Sequence, residues 1–261
     1  MNGYAAELEN VSLVRNGVRI LDRISLSICI GESVAVIGPN GSGKTSLMKL
    51  LKSDLRPYSD EGTVCRLFGK DRWNIFDLRK RMGFVSTELQ HRFSGSMTAG
   101  AVILSGFFRT TDIYRDHIVT EEMAAAADVA AARAGISDKL SHEIGKMSLG
   151  EVRRTLIARA LAPGPEMLLL DEPMTGLDIV IKEQFRGMFD SLIAGGTGII
   201  MITHDLEDIP SRIDRVVMMR NGSIFADGRK NELLNDGVVS NLYASPVSVV
   251  RDGDAYRMRP L

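Results

Sequence analysis

Gly38-Pro39-Asn40-Gly41-Ser42-Gly43-Lys44-Thr45 is the stretch whose reading decides the fold. It fits G-x-x-x-x-G-K-[ST], the phosphate-binding P-loop. Both flanks suit it. Ser33-Val34-Ala35-Val36-Ile37 is a short apolar run that reads as a buried strand, and a helical pattern begins at Ser46-Leu47-Met48. Strand, glycine loop and helix is the context this motif requires. Glycines let the backbone turn tightly and approach phosphates, and successive N–H groups then point at the anion. Lys44 is expected to reach the terminal phosphates, and the Thr45 hydroxyl to bind Mg2+. The plainer alternative is a chance match in a glycine-rich turn.

Working outward on the N-terminal side, residues 7–30 read as two strands around a turn at Asn16-Gly17. Ile24, Leu26, Ile28 and Ile30 alternate as in a half-buried strand. On the C-terminal side, Gly83-Phe84-Val85-Ser86 reads as the end of a buried strand. Thr120–Ala134 reads as a helix capped by Thr120 and closed by Gly135, with Glu121 and Glu122 suited to its N-terminal dipole. Residues 92–147 thus form a mostly helical insertion. Leu104, Phe107 and Phe108 are expected to pack as core. A helix opens at Ser148 and stops before Pro163. Met167-Leu168-Leu169-Leu170 is a continuous apolar run, as in a parallel strand covered on both faces. A helix near 179–194 and a strand at 198–203 follow. Asn221-Gly222 between two apolar runs signals a hairpin. Val247, Val249 and Val250 look strand-like. The fold class is α/β: a P-loop NTPase core with a mostly parallel sheet, an N-terminal antiparallel region and an inserted helical subdomain.

In an open α/β sheet, ligands collect beyond the carboxyl ends of the strands. Three such ends carry useful chemistry: the P-loop after 33–37, Asp171-Glu172 after 167–170, and His204 after 198–203. Asp171 matches the acid that holds Mg2+ in P-loop NTPases, and Glu172 is placed to orient or deprotonate an attacking water. Solvated surface charge is the blander reading of such an acid pair. His91, His117 and His142 lack this context and read as surface residues.

Composition bounds the rest. At 261 residues, 44% hydrophobic and 25% charged, the chain has the make-up of a soluble globular protein. A net charge of −1 gives no footprint for nucleic acid. Cys29 and Cys65 lack metal-ligand spacing and read as idle thiols. Met1–Asn10 does not read as a secretory signal, and no run approaches 18 apolar residues.

With these motifs in order, the chain resembles the nucleotide-binding subunit of ABC transporters over about residues 7–235. The resemblance covers the P-loop, a glutamine loop, the helical insertion, a signature beginning at Ser148, Asp171-Glu172, a D-loop at Gly176-Leu177-Asp178, and His204. It implies a single ABC ATPase domain, with 7–91 and 148–235 as ATP-binding core, 92–147 as helical subdomain and 236–261 as C-terminal extension. It implies ATP and Mg2+ as cofactors. Gly38, Pro39, Asn40, Gly41, Ser42, Gly43, Lys44, Thr45 and Ser46 would bind ATP, and Thr45, Gln90 and Asp171 would lie at the metal. Glu172, His204 and Lys44 would be catalytic.

By the same resemblance, two subunits pair head to tail, so that Ser148, Gly150 and Glu151 complete the partner's phosphate site, and Asp178 links the two sites. ATP closes this dimer and hydrolysis reopens it, driving separate transmembrane permease subunits from the cytoplasmic face of the cell membrane.

Three departures stand out. The signature is Met147-Ser148-Leu149-Gly150-Glu151 in place of Leu-Ser-Gly-Gly-Gln. Arg15 occupies the position of the aromatic residue that stacks on adenine; a guanidinium can stack too, or Arg15 is an exposed hairpin arginine. The glutamine loop is displaced, with Gln90 the candidate and Thr87 or Glu88 as alternatives. The Val-Ser-x-x-Leu-Gln form is similar to the molybdate-type or photorepair branch. Rival readings are a non-transport ABC ATPase of DNA repair or translation, a regulatory ATP-binding module, and a P-loop kinase.

Overall fold

Continuous apolar runs with a strand period dictate the centre of the molecule. The computed structural model describes residues 3–58, 61–86, 89, 92–108, 110 and 117–261. Among these, β1 (Tyr4–Arg15), β2 (Val18–Cys29) and β4 (Val64–Leu67) form an antiparallel sheet in the order β2-β1-β4. The larger sheet contains β3 (Val34–Ile37), β5 (Met82–Val85), β6 (Met167–Asp171), β7 (Gly198–Ile202), β8 (Arg215–Arg220) and β9 (Ser223–Arg229). Its order is β5-β6-β7-β3-β8-β9, with only the β8–β9 pair antiparallel. The sequence reading of fold class agrees with this architecture.

Alternation along these strands divides two hydrophobic cores. Ala35, Ile37, Leu168, Leu170, Ile199, Met201, Val216 and Met218 face one way. Val34, Val36, Met167, Leu169, Ile200, Ile202, Val217 and Met219 face the other. Successive strand side chains point to opposite faces, so each strand serves both cores. The second core is closed by α1 (Lys44–Leu51) and the β1–β2 ribbon. The first is closed by helices that follow α2 (Ile75–Arg81): α3 (Ala99–Phe108), α4 (Glu121–Ala134), α5 (Leu149–Leu161) and α6 (Ile179–Ala194). Leu104 and Phe107 pack against this core as half-buried residues.

The C-terminal segment belongs to the same core. After the short helix α7 (Lys230–Leu233) come α8 (Asp236–Tyr243) and a hairpin of β10 (Val247–Asp252) and β11 (Ala255–Pro260). The strand-like valines are therefore half of an antiparallel pair. Val239, Leu242, Val247 and Tyr256 join the first core.

Local signals explain the helix ends. Thr120 Oγ1 accepts from the Met123 N–H, and Gly135 takes the left-handed conformation that closes α4. One surface assignment fails: the half-buried His117 ring stacks on Phe108 with centroids 4.2 Å apart. His142 is exposed as expected, and His91 lies outside the described residues. Both cysteines are free, and burial followed by the nearby Asp71 charge pushes the Cys65 thiol up to about 11.

Close backbone packing between α3 and α5 makes one glycine irreplaceable. A Cβ at Gly106 would lie 2.3 Å from the Arg159 carbonyl oxygen, whereas one at Gly187 in α6 meets nothing within 4 Å. Urea unfolding should show Gly106→Ala destabilised by about 1–3 kcal/mol. Gly187→Ala, relieving helix entropy at an exposed site, should be stabilised by about 0.5–1 kcal/mol.

Candidate active site

The sheet order brings the three strand ends together. β7 lies between β6 and β3, so the P-loop, Asp171-Glu172 and His204 leave adjacent strands. The Thr203 N–H donates to the Val36 carbonyl and the Glu172 N–H to the Ile202 carbonyl, at 3.1 and 2.8 Å. These cross-strand bonds fix the heights of the three loops relative to each other.

The P-loop rests on the hairpin edge of the sheet. A Cβ at Gly38 would fall 2.2 Å from the Met219 carbonyl oxygen, and one at Gly43 2.8 Å from Leu21 Cδ2. Gly43 also holds φ 104°, a conformation costly for any other residue. The Gly222 N–H donates to the Ser42 carbonyl at 3.0 Å. The Asn221-Gly222 turn found in the sequence thus buttresses the loop from below.

Lys44 is 7% exposed, and its Nζ donates to the carbonyls of Gly38 at 2.7 Å and Pro39 at 3.0 Å. Burial pulls its pKa below the usual lysine value, opposed by the charges of Glu172 and Asp171. The loop therefore encloses an ammonium. The Ser42 hydroxyl is buried without a protein partner, and α1 has no side-chain N-cap. Ammonium, orphan hydroxyl and uncapped helix N–H groups together suit a phosphate chain. Pro39 and Ser46 are half-buried, and Asn40, Gly41 and Thr45 are exposed.

Glu172 sits in the left-handed region at φ 46°, which costs a non-glycine residue of order 1–3 kcal/mol. Its carboxylate is held at both oxygens. His204 Nδ1 lies 2.9 Å from Oε1, and Thr175 Oγ1 donates to Oε2 at 3.2 Å. With the carboxylate ionised, Nδ1 is the donor, and Nε2 lies on the far edge of the ring. Thr175 was missed in the sequence because no motif spacing marks it.

A second support lies behind His204. Lys182 Nζ makes 2.8 Å ion pairs with Asp205 Oδ2 and with Asp208 Oδ1, the latter residue 1% exposed. The Asp205 carboxyl is held below its ordinary value: burial, the largest single effect, acts to raise it, but the Lys182 hydrogen bond, the Glu207 N–H and the Lys182 charge together outweigh that. Burial pushes the Asp208 carboxyl up despite Lys182. Arg153, 2% exposed, has Nε and Nη1 without hydrogen-bond partners; burial lowers its pKa against the favourable Asp171 charge.

The signature lies on a different element from the three strand ends. Ser148 caps α5, and Glu151 closes a capping box by accepting from the Ser148 N–H at 2.8 Å and hydroxyl at 2.9 Å. Those bonds hold the Glu151 carboxyl below its usual range, and Lys139 adds to the effect from 3.5 Å. The departure at Glu151 therefore keeps a helix-capping role. Gly150 is buried, where a Cβ would lie 3.2 Å from Ile181 Cγ2. Asp178 caps α6 by accepting from the N–H groups of Val180 and Ile181, each at 3.0 Å. Arg15 is exposed at the end of β1, opposite Val18. Gln90, with Thr87 and Glu88, lies outside the described residues.

Comparison with known proteins agrees with this arrangement. The family model described as ABC transporter matches residues 21–175. The chain belongs to the ABC transporter family. A cobalt import ATP-binding protein, CbiO of Rhodobacter capsulatus, is 35% identical over 224 residues, covering 84% of this chain and 76% of its own. The ABC transporter ATP-binding protein YlmA of Bacillus subtilis is 32% identical over 251 residues, covering 95% and 94%. Among solved structures, cbiO1 of Clostridium perfringens, part of the ABC transporter complex cbiONQ, superposes with a TM-score of 0.79 at 25% identity, covering 92% and 94%. The relative ModF of Escherichia coli matches, and relatives named for hemin and phosphonates import match as well, so the molybdate-type resemblance remains minor and singles out no cargo. This ABC ATPase is an ATP-binding and ATP-hydrolysing subunit that energises transport. No described helix is long and apolar enough to cross a membrane.

Because a Cβ at Gly38 collides with backbone that cannot yield cheaply, Gly38→Ala should lose nucleotide binding. Titration with a fluorescent ATP analogue checks this, with the wild type as reference.

Proposed function

We propose that the three adjacent strand ends form one half of an ATP hydrolysis site, completed by the α5 N-terminus of a second copy. The observation that carries this is the His204–Glu172 contact at 2.9 Å, made beside the loop that leads from β3 to the buried Lys44 at the start of α1. In this reading residues 38–46 cradle ATP and Lys44 neutralises the developing phosphate charge. Glu172 polarises the attacking water, using the lone pairs left free by His204 and Thr175. His204, oriented by Glu172 through Nδ1, presents Nε2 to the γ-phosphate.

Mg2+ fits the donor set. The exposed Thr45 hydroxyl and the Asp171 carboxylate are hard oxygens, and Mg2+ commonly takes few protein ligands beside phosphate and water. When bound, it supplies neutralisation of charge on the β- and γ-phosphates.

The second copy would meet a surface suited to it. Ser148 and Asp178 are exposed at the starts of neighbouring helices, beside the exposed apolar side chains of Leu149, Ile179 and Val180. A Cβ at Gly176 would lie 3.3 Å from Leu149 Cδ2, so the two helix starts adjoin. We assign the α5 start at Ser148 and Gly150 to the partner's phosphates, Asp178 to communication between the two sites, and Arg15 to the adenine face. Glu151, expected from the resemblance to join the phosphate contact, is instead engaged in capping Ser148, and its carboxylate would repel a phosphate. The chain divides as 7–91 and 148–235 (core), 92–147 (helical subdomain) and 236–261 (extension). It acts as a homodimer or paired subunit, peripheral on the cytoplasmic face, and docks on separate permease subunits without nucleic acid.

Replacing Glu172 by Gln keeps shape and removes the base. Steady-state phosphate release should fall by about 100-fold or more while ATP affinity is retained. Hydrolysis at the wild-type rate would refute the assignment to Glu172.

A further inference from the structure

The C-terminal segment, which carries no recognisable motif, lies directly on the loop that holds His204. The Tyr243 hydroxyl, at the end of α8, donates to the His204 carbonyl at 3.3 Å. Arg257 on β11 places its buried Nε 3.1 Å from Glu207 Oε1, an ion pair held by charge and not by an aligned hydrogen bond. Glu207 belongs to the 3-10 turn Leu206–Asp208 that follows His204, and β11 packs on that turn. The two contacts are anchored. Tyr256 is 3% exposed, Leu242 1% and Leu206 1%, all in one core. Arg220 Nη1 donates to the Asn241 carbonyl at 2.7 Å, tying α8 to the sheet.

The opposite side of the same turn is held by α6. Lys182 pairs with Asp205 and Asp208, Arg186 Nη1 donates to the Glu207 carbonyl at 2.8 Å, and Asp205 caps the turn through the Glu207 N–H. The His204 loop is thus clamped between the helix that starts at Asp178 and the C-terminal hairpin.

We propose that residues 236–261 are a positioning element for hydrolysis, with Tyr243 and Arg257 fixing His204 against Glu172. The idea rests on the reading of His204 as a catalytic residue. Tyr243 carries polar contact to the backbone of His204 itself. Arg257 acts one step further, by pinning the turn whose N-cap, Asp205, follows the histidine. Neither touches the P-loop, so ATP binding is set elsewhere. A small displacement of an imidazole across 2.9 Å is enough to break its contact with Glu172, and misplacement on that scale is costly to rate.

The test uses the full-length chain and measures ATP turnover, ATP affinity and unfolding midpoint. Tyr243→Phe keeps the ring and removes the hydroxyl. Arg257→Glu places like charges together, and the double variant Arg257→Glu/Glu207→Arg restores attraction with the signs exchanged. His204→Ala is the reference. The expected result is a loss of kcat of about tenfold for each single variant, with KM for ATP unchanged, and recovery of kcat in the double variant. If His204→Ala itself retains turnover, the reading of His204 fails. If His204→Ala is inactive while Tyr243→Phe and Arg257→Glu turn over like the wild type, the positioning role is overturned. A loss that tracks the unfolding midpoint and is not recovered by the charge exchange also overturns it.

Discussion

A lysine ammonium held inside a loop of backbone is the constraint on which this structure depends. Removing a charge from water is expensive unless it is paired or hydrogen-bonded. Lys44 meets that requirement with the Gly38 and Pro39 carbonyls and, at longer range, with Glu172 and Asp171. The loop can close around it only because the backbone comes within touching distance of Met219 and Leu21, where side chains at 38 and 43 would collide. Met219 and Leu21 are in turn fixed by the second core, which the apolar alternation of the parallel strands builds. Sequence pattern, sheet, loop and charge therefore form one dependency, and phosphate recognition is its result.

Helix ends show how local chemistry is allotted. α4, α5 and α6 are capped by Thr120, Ser148 and Asp178, and α1 alone of these four leaves its first N–H groups without a side-chain cap. Free N–H groups at a helix start favour an anion. The Ser148 cap is of a different kind, since its hydroxyl and N–H are both engaged by Glu151 and the exposed face is left for another molecule. The carboxylate that replaces the usual glutamine is balanced by Lys139.

How much of this was legible depended on sequence separation. The P-loop, the Thr120 cap, the helix that opens at Ser148, the Asn221-Gly222 turn and the buried run ending in Asp171 are local patterns, and each appears where the sequence places it. Convergence of three strand ends followed from their being parallel. Two supports of the site are long-range and left no local mark: Lys182 crosses to Asp205 and Asp208, and Tyr243 returns to His204 from 39 residues away. Thr175 is only three residues from Glu172, but no motif spacing marks it. His117 read as a surface residue because stacking on Phe108 has no spacing rule behind it. The C-terminal extension offered valine alternation but no chemistry, because its role depends on what its hairpin lies against.

The central claim is that each hydrolysis site combines the strand ends of one chain with the α5 start of another. Mixing two inactive variants tests it most directly. Lys44→Ala destroys a P-loop and Ser148→Arg blocks a signature, so neither homodimer contains an intact composite site. A mixed dimer contains one, made from the P-loop of the Ser148→Arg chain and the signature of the Lys44→Ala chain. The account predicts that each variant alone is inactive and that ATP turnover reappears on mixing. Full turnover by Ser148→Arg alone, or no recovery in a mixture shown to form mixed dimers, would contradict it.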